Sequence, residues 1–115
     1  MLFDERKSLV ALGMVNRRVA ALYKKPPRAV TFLFVSLIDR RVQLVSGVEI
    51  STREVVGDCD RVSGVIRLVV RRGWERTAIH ELVHLYNPAM RELTVRRRVP
   101  EVVRYLQSPM LWGAL

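Results

Sequence analysis

Between residues 4 and 25 the apolar positions Leu9, Leu12, Val15, Val19 and Leu22 recur at steps of three and four. That spacing lays one apolar stripe along a helix. Asp4 stands before the stripe as an N-cap, and Pro26-Pro27 stops it. The period then shortens. Ala29 to Ile38 is rich in Val, Phe and Ile and predicts a buried strand, with a turn at Asp39-Arg40-Arg41. Val42 to Val45 predicts a short strand or a continuation of the first. Val48, Ile50 and Thr52 alternate with Glu49, Ser51 and Arg53, the pattern of a half-buried strand. Gly57-Asp58-Cys59-Asp60 is a predicted turn or loop. Val65 to Val70 is a further strand, in which Arg67 interrupts the apolar run.

After Gly73 the helical period returns. Trp74 to Tyr86 predicts one helix, ended by Asn87-Pro88. Asn87 then caps a second helical piece from Ala89 to about Arg98. Val99-Pro100 breaks it, and Pro100 opens a last short helix reaching Gln107. The order is helix, three or four strands, then two or three helices. This predicts an α+β fold with the helices on one face of a small mixed sheet.

The chain has 115 residues, 50% of them apolar and 27% charged. That predicts a single globular domain over residues 1–115 and excludes a mainly disordered chain. Cys59 is the only cysteine, so no intramolecular disulfide can form, which suits a reducing compartment. The apolar run 29–38 is about half a membrane span. Asp4 and Glu5 make the N-terminus a poor signal peptide. Together these predict a cytoplasmic protein without a membrane partner. The net charge is +9, and only Lys7, Lys24 and Lys25 of the 20 basic residues are not arginine. Such a balance fits an acidic partner, nucleic acid included. The arginines are scattered and few aromatic residues interleave with them, and charge alone is a weak footprint for nucleic acid.

His80-Glu81-Leu82-Val83-His84 is an HExxH sequence and holds both of the chain's 2 histidines. On a wheel of about 100° per residue, Trp74, Ala78, Ile79, Leu82, Val83, Leu85 and Tyr86 share one half. Arg76, Thr77, His80, Glu81 and His84 share the other, with Glu75 the exception. Both imidazoles therefore leave the non-core face one turn apart, where they can bind one tetrahedral Zn²⁺. Glu81 follows the first histidine, so its carboxylate stands beside an activated water as general base.

A catalytic zinc site takes a third protein ligand. No third histidine exists, and the pattern HExxHxxGxxH is excluded because Asn87 and Met90 occupy its Gly and last His positions. The third ligand must then be a carboxylate, Cys59 or a tyrosine. The downstream carboxylates are Glu92 and Glu101. Sixteen residues separate His84 from Glu101, room for a new helix to return across the pair, and Glu101 lies in the first turn after Pro100. Seven residues separate His84 from Glu92, little more than a tight reversal. Glu101 is the expected ligand and Glu92 the alternative.

The segment Thr77 to Leu85 resembles the active-site helix of zincin metallopeptidases. The helix–sheet–helix layout with a Glu on a later helix resembles the gluzincins, and at this length the single-domain minigluzincins of archaea. The resemblance implies a zinc-dependent endopeptidase acting on peptides or unfolded protein. It implies His80, His84 and Glu101 as ligands of one catalytic Zn²⁺, and Glu81 as the base. It also implies that the strand Val65 to Val70 forms the rim of the cleft, where an extended substrate adds as an antiparallel strand. The sequence departs from the family in offering no clear oxyanion stabiliser. Tyr86 falls on the core arc, and Tyr105 is an electrophile, a partner of a ligand histidine or, the preferred reading, core. The HELVHL run followed by Asn-Pro also resembles SprT-like peptidases, which place a histidine where Met90 stands. The apolar end Met110 to Leu115 either completes the core or folds over the cleft and makes the enzyme latent. Cys59 between Asp58 and Asp60 is a further possible cap on the zinc. A different class of function is a zincin-fold binding module with little turnover that holds nucleic acid or a partner protein through its arginine clusters.

Overall fold

The computed structural model describes residues 3–36, 41–43, 49–52 and 56–107. The apolar end Met110 to Leu115 lies outside the described residues, as do Ile38 and the turn residues Asp39-Arg40. Helix α1 spans Glu5–Leu22. Asp4 caps it, its Oδ1 accepting from the Lys7 amide at 3.0 Å. The helix ends before the two prolines through Lys24, whose φ is +54°. The Lys25 and Lys24 amides donate to the Ala20 and Ala21 carbonyls at 2.9 and 3.1 Å, which closes the last turn. Leu12, Val15 and Val19 are buried as the stripe predicts, but Leu9 is 37% exposed. The buried face is turned towards Ser8, Ala11, Asn16 and Ala20. Small side chains there let the next helix come close, and Asn16 is hydrogen-bonded.

The strands are β1 (Thr31–Val35), β2 (Arg41–Gln43), β3 (Glu49–Thr52), β4 (Gly57–Asp60) and β5 (Val65–Val69). β1, β5 and β4 form a mixed three-stranded sheet in that order, β5 parallel to β1 and antiparallel to β4. β2 and β3 form a separate antiparallel pair. Two expectations change here. The segment from Gly57 to Asp60 is a strand, not a loop, and it takes the outer position expected of Val65 to Val70, which is central. The turn between the two strands lies at residues 61–64. Asp60 Oδ1 accepts from the Val62 and Ser63 amides at 3.0 and 3.2 Å, and Gly64 supplies a φ of +74°. Asp60 thus serves the turn from the end of a strand, which is why its neighbourhood reads as loop. Arg67 interrupts its strand because it faces away from the core, where Asp58 accepts from its Nε at 2.8 Å and also pairs with its Nη2. Ile66 and Leu68 face inward and are fully buried.

Helix α2 spans Trp74–Tyr86, the predicted bounds, and all seven residues of its apolar arc are buried. It packs against α1, β4, β5 and the last helix, α3 (Glu92–Leu106). The chain is thus a small α+β protein, with three helices, a three-stranded mixed sheet and the β2–β3 pair among the described residues. No described helix is long and apolar enough to cross a membrane.

Two features of the helical layer depart from expectation or carry a test. α3 is one helix through Pro100, not two pieces. A proline inside a helix costs about 3 kcal/mol, from a lost hydrogen bond and a clash with the carbonyl four residues back. Against this, Val95, Val99, Val102 and Leu106 form a buried stripe, and each such side chain contributes roughly 1.5–3 kcal/mol. Burial wins, and the helix runs on. Pro100→Ala is expected to raise the unfolding free energy by about 1–3 kcal/mol, read by urea or thermal unfolding. The second feature ties α1 to α2. The buried Tyr86 hydroxyl donates to Asn16 Oδ1 at 2.6 Å and accepts from the Arg28 amide at 3.0 Å, while Asn16 Nδ2 donates to the Arg28 carbonyl at 3.0 Å. Tyr86→Phe strands a buried acceptor and a backbone donor. It is expected to cost about 2 kcal/mol in chemical denaturation.

Candidate metal centre

The site is built where α2 passes between β4 and α3. β4 approaches the helix so closely that a Cβ at Gly57 would lie 2.5 Å from Thr77 Cγ2 and 3.2 Å from the Arg67 carbonyl oxygen. Glycine is needed there for the strand to lie beside the helix. On the other side the chain leaves α2 through Asn87, whose Nδ2 donates back to the Val83 carbonyl at 3.0 Å. Asn87 therefore ends α2 and does not cap the next helix. The link 87–91 turns with the Met90 amide donating to the Asn87 carbonyl at 2.9 Å, and α3 begins at Glu92.

That short link decides the site. It returns Glu92 directly over the histidine pair. His80 Nε2 and His84 Nε2 stand 3.2 Å apart, Glu92 Oε1 lies 2.9 Å from His80 Nε2, and Oε2 lies 2.6 Å from His84 Nε2. Two ligands on one tetrahedral zinc with bonds of about 2.05 Å stand about 3.3 Å apart, close to the separation of the two imidazole nitrogens. Two neutral imidazoles and a carboxylate are also a known donor set for that ion. The three residues fit a metal ion, and they are the one such group among the described residues.

Glu101, the expected third ligand, stands elsewhere. It is exposed and pairs with Arg98 Nη1 at 3.1 Å. The cause is the continuity of α3: nine residues at about 100° each place Glu101 on the face opposite Glu92. The apolar stripe holds one face of α3 on α2, so Glu101 cannot turn in. The tight reversal between His84 and Glu92, set aside from the sequence, is the one that occurs. Met90, where another pattern would have a histidine, packs partly buried against the core.

His84, expected on the non-core face of α2, is buried. α3 covers it, and its Nδ1 is enclosed without a hydrogen-bond partner. His80 is half-buried, and burial pushes its pKa below the ordinary imidazole value despite the pull of the Glu92 carboxylate. It is therefore neutral near pH 7, the form that binds a metal. Burial alone would raise the Glu92 pKa, but the two histidines and Arg96, whose Nε donates to Oε1 at 3.3 Å, hold it below the usual carboxylate value. Glu92 also sits in the first turn of α3, where the helix dipole favours negative charge.

An open cleft of about 890 Å³ runs over this cluster, lined by β4, α2 and α3 as far as Pro100, with Glu81 in its wall. Cys59 lies in the same wall and outside the converging donors. Burial first, and then the nearby Glu81 carboxylate, push its thiol up to about 11. Tyr105 is exposed with Arg18 5.4 Å over its ring, neither core nor facing the cleft. Arg96 and β4 are the site components that sequence reasoning missed. The i, i+4 spacing of Glu92 and Arg96 was the available signal for the first, and nothing local marked the second.

Comparison with known proteins returns no match from any protein-family model, curated protein or solved structure.

Proposed function

We propose that the chain is a zinc-dependent endopeptidase of the gluzincin type, with Glu92 in the role first given to Glu101. The observation that carries the reading is the meeting of His80, His84 and Glu92 in an open cleft that also holds Glu81. His80, His84 and Glu92 would hold the ion. Zn²⁺ so held supplies Lewis acidity to a water and to the scissile carbonyl. Glu81 takes the proton of the attacking water as its oxygen bonds to the carbonyl carbon. It then delivers that proton to the amide nitrogen as the carbon–nitrogen bond breaks, and returns to its starting state. β4, the outer strand beside α2, offers an extended peptide a strand to pair with. That role moves from Val65–Val69 to Gly57–Asp60 because the latter stands at the sheet's end.

The test is direct. Protein dialysed against chelator and reconstituted with one equivalent of Zn²⁺ should cleave casein, and chelator should abolish the cleavage reversibly. Metal-loaded, folded protein that leaves casein and other unfolded chains intact would overturn the reading.

A further inference from the structure

We propose that the cleft selects peptides bearing acidic side chains next to the bond it holds, an inference that rests on the peptidase reading of the same site. The lining residues include Arg61, Arg76 and Arg96. Arg76 is exposed on α2, one turn before His80. Arg61 Nη1 donates to the uncharged Pro88 carbonyl at 3.0 Å, which positions the guanidinium at the cleft without cancelling its charge. Arg96 extends from the first turns of α3, 70% exposed, with only its Nε on Glu92. Of the acids in the lining, Asp58 is already bonded to Arg67 from the outer face of the sheet. Glu81 and Glu92 belong to the reacting centre. With Asp58 set against Arg67, the three arginines exceed the Glu81 and Glu92 carboxylates by one positive charge, and a divalent cation in place would raise that excess to three. Walls of low dielectric around such a cleft focus the resulting field on whatever enters. Arginine also matches a carboxylate fork to fork, so side chains of Glu or Asp gain direct bonds as well as attraction.

A nucleic acid carries negative charge too, but grooves for single strands combine basic residues with aromatic platforms. None of the described residues lining this cleft is Phe, Tyr or Trp. The chemistry of this lining therefore favours a carboxylate-bearing peptide.

Fluorescently labelled decapeptides, blocked at both ends so that no terminal carboxylate remains, test this. One carries four Glu, one four Gln and one four Lys on a common backbone. Binding is measured by anisotropy on zinc-loaded Glu81→Gln protein, which should hold peptides without cutting them. The Glu peptide is expected to bind about tenfold more tightly than the Gln peptide at low salt, and the gap should close as salt rises. Arg76→Glu should remove the gap, and Arg76→Gln should reduce it, with both variants keeping the wild-type circular dichroism spectrum. Glu and Gln peptides binding within twofold of each other would overturn the proposal. So would a DNA or RNA oligonucleotide that binds more tightly than the Glu peptide and depends equally on Arg76. The two readings fail separately. Acid-selective binding by protein that cleaves nothing sinks the peptidase reading and keeps the selectivity. Cleavage of Glu and Gln peptides at equal rates does the reverse.

Discussion

Glu92→Ala should lose zinc. One of the three proposed ligands disappears, and two imidazoles alone would hold the ion too weakly to compete with a chelator. Even partners that only orient a ligand change metal affinity by about 10–100-fold, so loss of a ligand is expected to exceed about 100-fold. Glu92 is half-exposed at the start of α3, so its removal leaves the buried stripe of Val95, Val99, Val102 and Leu106 intact. Folding should survive, and the loss of metal then reports on coordination alone. Glu101→Ala is the paired control. It removes a surface pair with Arg98, of a kind that contributes little, and should retain stoichiometric zinc and full activity. Metal analysis after gel filtration, with competition by a chromogenic chelator, gives the answer. A Glu101→Ala protein without zinc beside a Glu92→Ala protein that keeps it would reverse the assignment.

Loss of turnover with zinc retained is the expected signature of Glu81→Gln. Glu81 is not one of the three converging donors, yet it lines the same cleft. The amide cannot take a proton from water or pass it to the leaving amine. General acid–base catalysis of this kind is worth about 10²–10⁴-fold, and kcat/KM should fall by at least that much. Zinc content and unfolding midpoint should stay at wild-type values. A glutamine variant that hydrolyses casein at the parent rate would remove Glu81 from the mechanism.

Local periodicity carries most of α1 and all of α2. The bounds of α2 and its seven buried apolar residues follow from a stripe that a single helix needs for burial, whatever it packs against. The HExxH spacing belongs to the same local level, because one turn of helix sets the distance between His80 and His84 with no help from the rest of the chain. The β4 strand was not legible. Its four residues Gly57–Asp60 carry turn-forming types. Gly57 is there for the close approach of Thr77, and Asp60 for the turn that follows, and both reasons lie in other elements.

The third donor shows the same division most sharply. Composition alone limits it to a few residues once both histidines are used, and Glu92 is among them. Choosing between Glu92 and Glu101 required knowing whether α3 breaks at Pro100. Local propensity says that it does. The burial of four aliphatic side chains against α2 outweighs the proline and keeps the helix whole, which turns Glu92 towards the histidines and Glu101 to the surface. The residue types available for the site, and the spacing of its first two donors, were determined by the chain in isolation. Which carboxylate completes the set, and which strand borders the cleft, were decided only when α3 and β4 packed against α2, since energies of burial from distant elements exceed the local preferences that a sequence displays.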